Sequence, residues 1–393
     1  MSAASDQQSG VLGLAGRVGL TDAPSVDTAT VRLGGRPLPL FGTARMYVCG
    51  ITPYDVTHLG HAATFVWADA AAAMARLAGA NVITCRNVTD VDDVLIRAAA
   101  TRARHYDEFA LSQEYLFGQD MSALRVRRPE HEPRARHHIG DVVQLAAALL
   151  ARGQAYEREG TVYFRGAAVP GQAGLDRSTA LSLAREYGDE PDDPLRDDPF
   201  DVAVWRRSDA AQPAWPSPWG WGRPGWHAEC AAMAHAVLGG SIDILAGGAD
   251  LSFPHHAYQV AMAQAATAVT PFARGRLQVG TVDVNGAKMA KSTGNLVLVA
   301  DVLREHSPSA VRLLLLNRKW SQGWDYRPAE VESAAAVLER LYSAAGVPGG
   351  DGRWVGAVAA ALRNDLDVPA AVAIASEARG AAARLLLRTL SLT

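Results

Sequence analysis

Two short apolar stretches on either side of an alanine-rich segment constrain this chain more than any other feature. Arg45-Met46-Tyr47-Val48-Cys49-Gly50 reads as a strand ending in glycine, His61 to Ala78 has helical spacing, and Asn81 to Arg86 reads as a second strand. A further helix follows Asn87-Val88-Thr89-Asp90-Val91-Asp92-Asp93. Strand, helix, strand, helix opens a parallel α/β sheet, because a parallel pair needs a crossover that covers one sheet face. The pattern resumes with helix Ala228 to Val237, strand Ser241 to Leu245, helix His256 to Ala266 and strand Leu277 to Val279. Ligand sites of such sheets lie at the C-terminal strand ends, where Cys49, the segment around His58 and His61, and residues 87–93 all fall.

The rest of the chain is organised around that sheet. Residues 1–30 read as a loosely ordered leader, and 31–111 with 223–308 as a Rossmann-type catalytic domain. Residues 112–222 read as an irregular inserted subdomain, with a helix near His138 to Arg152, a strand at Thr161–Phe164 and an acidic, proline-rich stretch between Arg185 and Pro199, and 309–393 as a C-terminal helical region. Hydrophobic content of 49% and charged content of 20% are ordinary for a globular protein. A net charge of −3 with no basic block argues against an extended nucleic-acid surface. Three cysteines make no disulfide framework, the first 30 residues lack a basic segment before an apolar core, and no apolar run approaches a membrane span. A cytoplasmic protein with no membrane partner is expected.

Only three of the 38 basic residues are lysines, and Lys288 and Lys291 lie together in Gly286-Ala287-Lys288-Met289-Ala290-Lys291-Ser292-Thr293-Gly294-Asn295. A generic charge requirement would be met by arginine, whereas a compact, flexible ammonium suits a moving phosphate. Thr57-His58-Leu59-Gly60-His61 stands between a strand and a helix. Helix-terminal N–H groups and imidazole donors attract phosphate there, and the glycine admits a nucleotide to the backbone. The bland alternatives are a solvated loop and a capped helix with surface histidines. Cys49, Cys230 and His255 offer two thiolates and an imidazole with one position open, the pattern of a non-structural zinc site. Each cysteine could equally be a small buried hydrophobe, which is the reading adopted for Cys85.

The histidine and lysine segments together resemble the HIGH and KMSKS motifs of class I aminoacyl-tRNA synthetases, with Leu59 for isoleucine and Ala290 for the middle serine. That resemblance implies the class I synthetase catalytic fold and activation of an amino-acid carboxylate as an adenylate. His58, His61, Lys288 and Lys291 would stabilise the phosphates of ATP, with Mg²⁺ on the nucleotide. Ala290 removes a hydroxyl and leaves both ammonium groups, so attenuated nucleotide contact is expected.

Cys49-Gly50-Ile51-Thr52-Pro53-Tyr54-Asp55, residues 87–93 and Arg223-Pro224-Gly225-Trp226-His227-Ala228-Glu229-Cys230 are similar to cysteinyl-tRNA synthetases. In those enzymes zinc grips the thiol of substrate cysteine. Gln259 stands where they carry a glutamate ligand, so Cys49, Cys230, His255 and the substrate sulfur are the four ligands expected. The resemblance further implies Thr52, Thr89 and Trp226 in the cysteine pocket and Gly248 and Asp250 at the adenosine. Gly50, Ile51, Thr64, Asn87, Val88, Ala249 and Val282 are further expected contacts. Further stretches resemble the cysteine ligases of the mycothiol pathway, which act on the amine of glucosaminyl-inositol (GlcN-Ins). Among them are His61-Ala62-Ala63-Thr64, Trp215-Pro216-Ser217-Pro218 and Asn295-Leu296-Val297-Leu298-Val299. The ERGGDP-like segment of those ligases is degraded here to Glu186-Tyr187-Gly188-Asp189-Glu190-Pro191. This branch implies L-cysteine, ATP and GlcN-Ins as small-molecule partners, no tRNA and a monomer. A cysteine ligase for another amine and a non-catalytic, tRNA-binding synthetase paralogue stay open.

Overall fold

A computed structural model describes residues 30–54, 56–209, 212–289 and 294–393; most of the expected leader, along with Lys291, lies outside these. Four parallel strands form the central sheet: β1 (Thr43–Ile51), β2 (Asn81–Val88), β3 (Ile242–Gly248) and β4 (Ala273–Val279), in the order β4-β3-β1-β2. Tyr47 of β1 stands opposite Cys85 of β2 and Leu245 of β3. The inner strands carry apolar residues at successive positions, as expected of a parallel sheet covered on both faces.

Helix α1 (Leu59–Leu77) makes the crossover from β1 to β2 and is buried over most of its length. Its alanines let the backbone lie close to the sheet, and the apolar cluster it shares includes Met46, Val48 and Ile244. On the other face, α2 (Trp226–Leu238) and α3 (Ala257–Thr267) cover Tyr47, Cys85 and Leu245.

Within residues 112–222 the helix near His138 to Arg152 and the strand Thr161–Phe164 are present, and more regular structure surrounds them than the irregular pattern suggests. Helix Ile139–Ala151 packs on an antiparallel four-stranded sheet of Ala155–Arg158, Thr161–Phe164, Val202–Arg207 and Gly222–Pro224, and a further helix spans Tyr106–Ala123. The sheet's strands are short, and Phe164 pairs with Val202 across a long intervening stretch, so local periodicity exposes the strand Thr161–Phe164 but not its partners. Val162, Val204 and Trp205 share a core with Phe253 and Tyr258, which seats this sheet against α2 and α3.

Helices Pro308–Leu316, Ala329–Ala345, Gly352–Arg363, Val368–Ala378 and Gly380–Thr389 join the same apolar cluster as α1. A buried ion pair locks them on: Arg312 donates to Asp69 of α1 at 2.7 Å and to the carbonyls of Leu390 and Leu124. Arg127 reaches the same carboxylate at 2.7 Å. Burial opposes charge on Asp69, yet its two arginines hold the carboxyl below its ordinary range. Asp69→Ala strands a buried guanidinium and is expected to cost about 3–5 kcal/mol, read as a shift of the urea midpoint. No helix among the described residues is long and apolar enough to cross a membrane.

Candidate active site

The C-terminal ends of β1, β2 and β3 open into a cavity of about 750 Å³, within the usual size range of small-molecule sites. Its wall includes Cys49, Gly50, Ile51, Thr52, His58, His61, Thr64, Asn87, Thr89, Trp226, Cys230, Gly248, Asp250, His255, Val282 and Lys288. Two expected contacts are not on this wall. Val88 turns its side chain into the core and its N–H to Pro133, and Ala249 lies beside the cavity without lining it.

At one end sits the sulfur–imidazole group. β1 delivers Cys49, the second turn of α2 delivers Cys230, and the turn Ser252–His256 before α3 delivers His255. Their ligand atoms lie within 4.8 Å of one another and all three residues are buried. Burial and the adjacent Cys230 push the Cys49 thiol well above its ordinary range. Two thiols and an imidazole forced together in an apolar shell are costly alone, and a soft dication would neutralise that cost. The donor set therefore fits zinc.

Neighbouring groups hold these donors in place. Asn87 accepts from the Gly50 N–H at 2.9 Å and offers its amide N–H to the Cys230 sulfur at 3.3 Å. Nδ1 of His227 and Nδ1 of His255 are 3.0 Å apart, and Trp226 stacks on His255 with ring centroids 4.2 Å apart. Gln259 places Oε1 3.6 Å from the Cys49 sulfur, and His256 places Nε2 3.2 Å from it. Gly50 admits this crossing, since a Cβ there would stand 1.8 Å from the Asn87 carbonyl oxygen.

At the other end lies a cluster suited to phosphates. His58 caps α1, its Nδ1 accepting from the Gly60 N–H at 3.1 Å, and stacks on His61 at 3.9 Å. Burial first, then His61, pushes the His58 imidazole down to about 3. The neutral ring thus carries its proton on Nε2 and offers that N–H as a donor. A Cβ on Gly60 would meet this ring at 2.9 Å. Lys288 donates to Asp250 at 2.9 Å and stands 5.6 Å from the Tyr187 ring. Burial opposes its charge, but Asp250 outweighs burial and holds the ammonium above its ordinary value.

The lysine segment is pinned at both sides. Asn295 donates to the Ala287 and Lys288 carbonyls, each at 3.2 Å. The Leu59 N–H then bonds the Val297 carbonyl at 2.9 Å, and the Val299 N–H bonds Thr57 at 3.1 Å. The residues after the loop are thereby stitched to the histidine motif, which brings two segments about 230 positions apart into one site.

Sequence reasoning missed an acidic corner of the same cavity, made by Glu229, Asp92 and Asp93. Burial, followed by Asp92, drives the Glu229 carboxyl well above its ordinary range. Asp92 caps the helix Asp93–Thr101, accepting from Val94 at 2.7 Å, and burial raises it to about 6. Because the folded state holds that proton more tightly, Asp92 costs stability as pH climbs from the ordinary carboxylate value through about 6. Asn caps equally well, so Asp92→Asn is expected to gain on the order of 2 kcal/mol at pH 7 and nothing near pH 4. Thermal melts across that range check it.

A family model described as tRNA synthetases class I (C) catalytic domain matches residues 41–336. A Parafrankia sp. (strain EAN1pec) protein is 43% identical over 88% of this chain and 79% of its own length. A Kribbella flavida protein is 42% identical over 88% and 87%. Both are named L-cysteine:1D-myo-inositol 2-amino-2-deoxy-alpha-D-glucopyranoside ligase. Among solved structures, Mycobacterium tuberculosis methionyl-tRNA synthetase with methionyl-adenylate aligns with a TM-score of 0.60 at 16% identity, covering 90% of this chain and 82% of its own. At that identity the likeness speaks for the fold.

Proposed function

Because the chain belongs to the family of class I (C) tRNA synthetase catalytic domains, we propose that it activates L-cysteine with ATP and joins it to the amine of GlcN-Ins. Its curated relatives carry that substrate pair in their name. The observation that carries the reading is the layout of one cavity. A soft-donor cluster for a thiol lies at one end, and Lys288, His58 and Asp250 for a nucleotide lie at the other.

Zinc held by Cys49, Cys230 and His255 would take the substrate thiol as its fourth ligand, selecting cysteine over serine. Trp226, Thr52 and Thr89 line the space beside it, the two hydroxyls 2.6 Å apart. Gly248 and Asp250 receive the adenosine end. The Nε2–H of His58 donates to phosphate oxygens, together with His61. Lys288 leaves Asp250 for the phosphates, and Lys291 joins it, concentrating positive charge where negative charge develops at the α-phosphorus. The cysteine carboxylate attacks that phosphorus and pyrophosphate leaves, with Mg²⁺ on the nucleotide. The amino sugar's amine then attacks the cysteinyl-AMP carbonyl, forming the amide and releasing AMP. This is an ATP-dependent, AMP-forming amide ligase.

The division into a catalytic unit (31–111 and 223–308), an insertion (112–222) and a helical region (309–393) is part of the proposal. So are a cytoplasmic location, a monomeric state and a lack of tRNA binding. The C-terminal helices bury their apolar faces against α1, which supports a covering role for that region. The deciding experiment supplies metal-loaded protein with ATP and cysteine, then adds GlcN-Ins, total tRNA or neither. AMP release that depends on GlcN-Ins is the expected result. Charging of tRNA would replace the ligase reading, and no AMP or pyrophosphate in any arm would end the catalytic one.

A further inference from the structure

The Lys288 ammonium lies against side chains from two separate parts of the chain. Asp250, in the short turn Ala249–Leu251 after β3, accepts from it at 2.9 Å. The ring of Tyr187, in the inserted subdomain, has its centroid 5.6 Å away, within cation–π reach. Both partners line the same cavity, as do the residues around the tyrosine from Glu186 to Glu190. Asp250 belongs to the nucleotide end on the reading above, whereas Tyr187 has no part in that chemistry.

The backbone that presents Tyr187 is firmly mounted. Tyr187 closes the helix Arg177–Glu186, its N–H donating to the Leu183 carbonyl at 3.0 Å. Gly188, at φ +82°, turns the chain directly after it, a conformation that favours glycine. The Gly188 and Asp189 N–H groups return to the Arg185 and Ala184 carbonyls at 3.1 and 2.9 Å. Arg196, its side chain 2% exposed, then grips the Asp189 carboxylate with two bonds of 2.8 and 3.1 Å. The same helix packs on the turn Ser252–His256. Lys288, by contrast, carries its charge on a flexible four-carbon stem. Contacts made only in the nucleotide-free arrangement favour that arrangement, so a ligand that needs the ammonium elsewhere must overcome them. We propose that Tyr187, together with Asp250, forms a resting berth for Lys288 that holds the ammonium off the phosphates, so that the inserted subdomain tempers nucleotide affinity through one side chain. This rests on the nucleotide-binding reading above and adds to it a positioning residue that acts through Lys288.

The test is calorimetric titration of the full chain with α,β-methylene-ATP, which carries the phosphates and resists cleavage between the first two. Wild type, Tyr187→Leu, Tyr187→Gln and Tyr187→Phe are compared, each also in a Lys288→Met background. Tyr187→Leu is expected to tighten binding by about 2–5-fold, the scale of a partly exposed cation–π contact. Tyr187→Gln removes the ring while keeping a polar side chain, and carries the same expectation should leucine disturb folding. Tyr187→Phe keeps the aromatic face and should stay near wild type. In the Lys288→Met background the tyrosine substitutions should change nothing, a coupling that a merely structural role would not produce. Weaker or unchanged binding in both ring-deleting variants overturns the inference, since the ring would then be a nucleotide contact or a bystander. A shift of the same size without Lys288 overturns it too. No binding by any of the proteins, wild type included, would remove the nucleotide reading itself and the inference with it.

Discussion

Cys230→Ala is expected to abolish zinc retention and, with it, cysteine-dependent pyrophosphate exchange, while the far-ultraviolet circular dichroism stays that of the wild type. The side chain is buried in a small apolar cluster with Tyr47, Cys49 and Leu245, where alanine fits with a modest void. What disappears is one of three donors that lie within 4.8 Å of one another. A two-donor remnant cannot hold zinc with the fourth position reserved for substrate. Where a site depends on one specific polar ligand, discrimination on the order of 10⁴ against the analogue is attainable, and that margin over serine should collapse. Zinc measured at wild-type stoichiometry in the purified variant would refute the ligand set outright.

The second large effect is at the opposite end of the cavity. Lys288→Met is expected to slow adenylate formation by about 10²–10³-fold, the scale for removing one charge-stabilising donor. The KM for cysteine should change little, because Lys288 contacts Asp250 and Tyr187 rather than the sulfur donors. Lys288→Arg should recover only part of the rate, since a rigid guanidinium cannot follow the phosphates as an ammonium on a flexible stem does. A single-turnover assay of cysteinyl-AMP formation separates these cases. Equal rates for all three proteins would remove the lysine from the chemistry.

Local patterns carried much of the fold. The four sheet strands and helices α1 to α3 were legible because each has a strong period or apolar run of its own. Their ends shifted by a few residues, as with α2, which begins at Trp226 where the spacing first suggests Ala228. Of the antiparallel sheet of the insertion only the strand Thr161–Phe164 was legible, along with the helix Ile139–Ala151 beside it. Its strands are three to six residues long and pair over separations that carry no local signal. In the site, the Cys49, Cys230 and His255 grouping came from chemistry and resemblance together, with no contiguous motif. Val88 lies between Asn87 and Thr89 but is not among the residues lining the cavity. Glu229 went unread because a glutamate beside a cysteine on a helix looks like any solvated acid until burial is known.

By itself, then, the sequence determined the parallel α/β class and the adenylate-type motifs, because residue type and short-range spacing encode those directly, while the soft metal donors were legible only through their residue types and the family resemblance. Tertiary structure alone decided that the histidine motif and the lysine segment meet, through the backbone bonds from Leu59 to Val297 and from Val299 to Thr57. It also decided that Asp250 is the partner of Lys288 and that Glu229 is sealed away without a hydrogen-bond partner among the described residues. Those facts depend on which atoms are deprived of water and what stands opposite them. Desolvation and pairing are properties of the packed chain, and no one-dimensional pattern records them.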